Sequence, residues 1–135
     1  MNRKNMINIR HFLLSFPLLF MACGTSSHQI TRLDPASFEA RLNEPDVQLV
    51  DARTPGEYAA GHLTGATNLD WNGGRLQATV DQLDKTRPVL VYCASGRRSA
   101  EAREFLIEQG FNDVVDLQGG INAWAEEVDP SLPLY

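Results

Sequence analysis

At 135 residues and 43% hydrophobic content, the chain is long enough for one domain with a buried core and too polar to be a membrane bundle. Its net charge is −5; Arg3, Lys4 and Arg10 precede Cys23 with no acid among them, so the stretch from Cys23 onward holds nine basic against seventeen acidic residues, a balance of −8. A body this acidic argues against nucleic acid as a partner and against electrostatic binding to an anionic membrane.

The first segment reads as an address. Met1 to Arg10 carries the three basic residues, Phe12 to Ala22 is almost wholly apolar, and the run stops at a small residue before Cys23. This is the layout of a secretory signal peptide over residues 1–22, and the apolar run is too short to span a bilayer core of about 30 Å as a helix. Leu19-Phe20-Met21-Ala22-Cys23 resembles the bacterial lipoprotein cleavage box, with Phe20 and Met21 departing from the usual leucine and small residue. That resemblance implies lipidation at Cys23, export to the periplasm or cell envelope, and contact with a membrane through a lipid anchor only. Residues 23–28 then read as a flexible tether. The two cysteines could in principle form one disulfide; with Cys23 acylated, Cys93 is left a lone thiol in an oxidising compartment.

In the body, Gln29-Ile30-Thr31-Arg32 predicts a short first strand. Asp34-Pro35 predicts a helix start, the acid capping free amides and the proline holding a helical φ, with Phe38 and Leu42 on one face up to about Asn43. Val47 to Asp51 predicts a strand, and Thr54-Pro55 opens a brief helix by the same device. A short strand is expected over Ala66 to Leu69, and after Gly73-Gly74 a helix through Leu76, Val80 and Leu83. Pro88 to Tyr92 is nearly continuous apolar sequence, which predicts a strand covered on both faces. From Arg98 the spacing of Ala102, Phe105 and Leu106 is helical, and Gly110 is placed to end it. Val114 to Leu117 is the last strand; Gly119-Gly120 leads into a helix through Ile121, Trp124 and Ala125, and Pro130 and Pro133 mark a loose tail over residues 131–135. The alternation predicts one α/β domain over residues 29–130, a mostly parallel sheet of about five strands with helices on both faces.

Parallel sheets form sites at the carboxyl ends of their strands, where loop meets helix, and Cys93 stands there. The helix starting near Arg98 directs unpaired amides and partial positive charge at the loop, which stabilises a thiolate and attracts an anion. Arg97 and Arg98 add fixed charge, and Gly96 lets the backbone bend so that several amides converge. Such a thiolate needs no adjacent histidine as base. A cysteine ending a core strand is often inert packing, and the two arginines could pair with Glu101 at helical spacing. The glycine and arginines directly after the cysteine favour the active loop.

Cys93-Ala94-Ser95-Gly96-Arg97-Arg98-Ser99 resembles the active-site loop of single-domain rhodaneses, Cys-x-x-Gly-x-Arg followed by a small residue. Asp51-Ala52-Arg53 through Glu57-Tyr58, Gly61-His62 and Gly65-Ala66-Thr67-Asn68 is similar to a second family block, and Leu117-Gln118-Gly119-Gly120-Ile121-Asn122-Ala123-Trp124 to a third. The resemblance implies a rhodanese-like three-layer sandwich and a thiosulfate sulfurtransferase. Cys93 would be the catalytic nucleophile, taking the outer sulfur of thiosulfate or a similar donor as a persulfide and releasing sulfite; cyanide, a thiol or a protein acceptor would then remove the sulfur. The amides of Ala94, Ser95, Gly96, Arg97, Arg98 and Ser99 would hold the terminal sulfur. Arg98 matches the family's loop arginine, whereas Arg97 is at a variable position and would help draw in the donor anion. Asp51, Arg53, Glu57 and His62 match scaffold positions, and Trp124, Tyr58 and Trp71 read as core or pocket wall. No metal spacing or phosphate-binding glycine motif appears, so no metal and no cofactor are expected, and the domain is expected to be a monomer. Two alternatives stay open: a non-enzymatic envelope sulfur carrier or protein-binding module, and a cysteine phosphatase or arsenate reductase of the same fold. Loop length weighs against the latter, whose arginine would fall at the position of Ser99.

Overall fold

The structure, a computed structural model, describes residues 31–134. The signal segment 1–22, Cys23, the tether 23–28, the start of the expected first strand at Gln29 and the final residue of the tail lie outside the described residues.

The helix starts follow their caps. In α1 (Pro35–Leu42) the Asp34 carboxylate accepts the Ser37 amide at 2.8 Å. In α2 (Pro55–Ala60) Thr54 and Glu57 form a reciprocal capping box, each side chain accepting the other's backbone amide. The remaining helices are α3 (Arg75–Thr79), α4 (Arg97–Glu108) and α5 (Gly120–Glu127). The expected helix through Leu83 is shorter than its apolar spacing suggested. The Thr79 hydroxyl bonds back to the Arg75 carbonyl at 2.8 Å, and Val80–Gln82 tightens into a 3₁₀ turn.

The strands are β1 (Arg32–Leu33), β2 (Gln48–Asp51), β3 (Thr67–Asn68), β4 (Val89–Tyr92) and β5 (Val114–Leu117), all parallel in the order β1-β5-β4-β2-β3. Central β4 registers Leu90 opposite Leu49 on one side and Val115 on the other. Its side chains alternate between two cores. Val89, Val91 and Cys93 pack with Val50, Leu76, Ala102 and Leu106 towards α3 and α4. Leu90 and Tyr92 pack with Phe38, Leu117, Ile121 and Trp124 towards α1 and α5. Every β4 residue is fully buried, each apolar side chain contributing roughly 1.5–3 kcal/mol. This explains the unbroken apolar run and fixes the strand that delivers Cys93. The stretch after α5, expected as a loose tail, folds back: Leu132 packs on the second core and Pro133 lies against Gly61.

Candidate active site

The strand period sets where the cysteine goes. Cys93 continues the phase of Val89 and Val91, so its side chain faces the α4 side and is 1% exposed. Three residues on, Gly96 caps α4 at φ 97°, a left-handed conformation that suits glycine. The Gly96 N–H donates to Cys93 Sγ at 3.1 Å.

The loop's carbonyls are tied away from that sulfur. Cys93 O accepts the Ile121 amide at 2.8 Å and Ala94 O accepts the Asn122 amide at 3.1 Å, both from the first turn of α5. Gly96 O accepts Arg32 Nη2 at 2.8 Å and the Ala100 amide at 3.3 Å. A trans peptide is planar, with its C=O and the next N–H on opposite sides. Tying these three carbonyls back therefore turns the N–H groups of Ala94, Ser95 and Arg97 the other way, into the loop's concavity. Gly120, at φ 62°, makes the α5 contact possible: a Cβ there would lie 2.4 Å from Ala94 O and 2.5 Å from Cys93 O.

The two arginines part company. Arg98 is half-buried and forms a two-pronged pair with Glu57, Nη1 to Oε2 at 2.8 Å and Nη2 to Oε1 at 2.7 Å. The hydrogen bond that Arg98 donates to Glu57 raises Arg98 above its ordinary pKa, and the Cys93 sulfur adds to the same effect through charge and a hydrogen bond. In return the Arg98 guanidinium holds the Glu57 carboxyl down at about 2. Arg97 is exposed and pairs with Glu101 at 3.1 Å, while the same carboxylate accepts the Trp71 indole N–H at 2.8 Å. Ala94 is half-buried and Ser95 exposed at the rim. Ser99 is buried, and its hydroxyl has no hydrogen-bond partner among the described residues.

A buried polar frame backs the loop. The Asp51 carboxylate accepts Arg53 Nη2 at 2.7 Å and the Tyr92 hydroxyl at 2.7 Å, and that hydroxyl accepts the Leu63 amide at 3.0 Å. Arg53 Nη2 also donates to Gly61 O at 2.6 Å. Buried charge is tolerated here because the pair is hydrogen-bonded on several sides. Burial, then the Asp51 charge, push the Tyr92 phenol well above its ordinary pKa. His62 stacks on Tyr58 with ring centroids 3.7 Å apart, and its Nδ1 lies 2.9 Å from Tyr58 O. Trp124 meets Phe38 edge-on in the core, and Trp71 packs on Phe105. No group of three His, Cys, Asp or Glu among the described residues could hold a metal ion.

The model of the rhodanese-like domain matches residues 34–127. The chain belongs to the rhodanese-like family. A sulfurtransferase of Allochromatium vinosum is 39% identical over 97 residues, 71% of this chain and 89% of that protein. The thiosulfate sulfurtransferase GlpE of Shewanella oneidensis is 44% identical over 80 residues, 59% of this chain and 77% of that protein. Among solved structures, a rhodanese-related protein from Thermoplasma volcanium superposes with a TM-score of 0.65 at 30% identity, covering 76% of this chain and 95% of that one.

Within this rhodanese-like domain, the expected loop splits in two: Cys93 to Gly96 form the turn between β4 and α4, and Arg97, Arg98 and Ser99 are the first residues of α4 itself. Glu57, a scaffold position by the family resemblance, holds the loop arginine. The sequence assigns Arg32 no role beyond the first strand, and Gly120 none beyond a helix start and a place in the third family block. An acid three residues after a helix cap signals a capping box, not a reach of 41 positions to Arg98; no local signal marks Arg32.

Proposed function

We propose that this rhodanese-like domain is a sulfurtransferase that carries sulfane sulfur through a persulfide on Cys93. The observation that carries the reading is the Gly96 N–H aimed at Cys93 Sγ at 3.1 Å, in a loop whose carbonyls are drawn off by α5 and Arg32. In the first half-reaction the Cys93 thiolate attacks the outer sulfur of thiosulfate or a similar donor. A bond forms between Sγ and that sulfur, the donor's own S–S bond breaks, and its electron pair leaves on sulfite. In the second, cyanide, a thiolate or a protein acceptor attacks the terminal sulfur, and Cys93 departs as thiolate. Neither step changes the net oxidation state of the pair or needs a proton from a histidine. The amides from Ala94 to Ser99 hold the terminal sulfur as an oxyanion hole holds oxygen. The names of the sulfurtransferase relatives support the same reading.

Intact-mass spectrometry of the protein after incubation with thiosulfate tests it. The expected result is a gain of about 32 Da that is absent in Cys93→Ser and discharged by cyanide as thiocyanate. No gain, or release of phosphate from an aryl phosphate in its place, overturns the proposal. A persulfide that forms but passes to no small acceptor selects the carrier form of the same chemistry. For placement we propose a Cys23 lipid anchor in the cell envelope; Cys23→Ser should move the protein out of the membrane fraction.

A further inference from the structure

We propose that Arg32 is a positioning residue for Cys93, holding the peptide between Gly96 and Arg97 in the orientation that turns its N–H towards the sulfur; the inference rests on Cys93 being the reactive group. Arg32 sits on edge strand β1, 64 positions from Gly96. Its guanidinium is fixed first by Asp116, a fully buried carboxylate on β5. Nε donates to Oδ2 at 3.0 Å and Nη2 to the same oxygen at 2.8 Å, while Arg103 donates to the other oxygen, Oδ1. So braced, Nη2 reaches the Gly96 carbonyl at 2.8 Å.

The three anchored carbonyls are not held alike. Those of Cys93 and Ala94 are held by main-chain amides of α5, with no side chain as donor. Among the described residues, Gly96 O has only the long 3.3 Å bond from Ala100 in the first turn of α4 besides Arg32. The Arg32 contact is shorter and charge-assisted, so it is the stronger of the two. Gly96 is also the residue whose own N–H meets Sγ. A Cβ on Gly96 would fall 3.2 Å from Gly119 N and 3.5 Å from Leu117 O, so the back of the loop rests on the end of β5 beside the brace. Loss of Arg32 leaves the loop free to rotate about this glycine, the one loop residue with a left-handed φ.

Two variants of the full-length chain test this. Arg32→Met keeps the apolar stem and removes every donor; Arg32→Lys keeps the charge beside Asp116 but not the planar fork that serves carboxylate and carbonyl at once. Two rates are read: iodoacetamide alkylation at pH 7, followed on the Cys93 peptide, and single-turnover sulfur transfer from saturating thiosulfate. Arg32→Met is expected to lower both by about fivefold. Arg32→Lys is expected to recover the melting temperature but neither rate. Wild-type rates in Arg32→Met, or rates restored by Arg32→Lys, overturn the assignment. Alkylation does not require sulfur transfer. A wild-type protein that forms no persulfide, while Arg32→Met still slows alkylation, therefore sinks the proposed function and leaves the positioning role standing.

Discussion

Replacing Gly120 with alanine tests whether α5 holds the loop by close backbone approach. Gly120 has φ 62°, and a Cβ there would lie 2.5 Å from the Ala94 carbonyl carbon. The optimum for two carbons is about 3.5 Å, so loop or helix must yield by about 1 Å. The left-handed conformation alone costs an alanine roughly 1–2 kcal/mol. A displacement of that size also breaks the Ile121 and Asn122 amide bonds to Cys93 O and Ala94 O, at about 1 kcal/mol each. The sum is about 3–4 kcal/mol, a fall in melting temperature on the order of 20 °C for a domain of this size. Misplacing the nucleophile by about 1 Å should also slow sulfur transfer by about 100-fold. The control is Gly56→Ala, where nothing lies within 4 Å of the new Cβ and an exposed helical position should gain about 0.5–1 kcal/mol. The assays are thermal unfolding by circular dichroism and thiocyanate formation. A Gly120→Ala protein that melts within about 5 °C of wild type and turns over normally refutes the close-approach reasoning.

The Glu57–Arg98 pair predicts a pH dependence. Glu57 titrates at about 2 in the folded protein against an ordinary 4.5, so its contribution to stability is complete above about pH 4.5 and is lost as pH falls towards 2. The pair is partly exposed and therefore screened, which reduces that contribution to on the order of 1 kcal/mol. Urea unfolding at pH 6 and pH 3 should show the loss in wild type and a smaller one in Glu57→Gln; equal slopes would count against the pair. Tyr92→Phe leaves the buried Leu63 amide without its acceptor and removes a donor from Asp51. This should cost about 2 kcal/mol, read as a lower urea midpoint at constant m-value, and a variant as stable as wild type would show that the frame is dispensable.

What could be read from the sequence was what local chemistry decides. Asp34 and Thr54 announce their helices because capping is settled within three residues. The unbroken apolar run of β4 announces a strand buried on both faces. Cys93 and Gly96 stand three apart and form their contact within one turn. The third helix was overextended because apolar spacing at Leu76, Val80 and Leu83 says nothing of a threonine hydroxyl that bonds back to its own helix. The braces on the loop were illegible for a different reason: Arg32 reaches Gly96 only because the sheet order sets β1 beside β5 and β5 beside β4. Nothing near Arg32 in the chain encodes that order.

The arginines show how this changes the chemistry of the loop. Neighbouring residues on a helix point about 100° apart, so at most one of Arg97 and Arg98 can turn inward; helical spacing does not say which, and only the family resemblance singles out Arg98. In the fold Arg98 turns in and is matched by Glu57, while Arg97 turns out and is matched by Glu101. Each guanidinium thus stands beside a carboxylate, so the pair brings little net charge to the sulfur. What remains unopposed is the set of backbone N–H groups that the anchored carbonyls turn inward. In the proposed persulfide cycle the sulfur gains and loses negative charge, and fixed dipoles at short range suit it because they follow that change without reorganising. Excess fixed positive charge would hold the anion in either state and slow the release of sulfite.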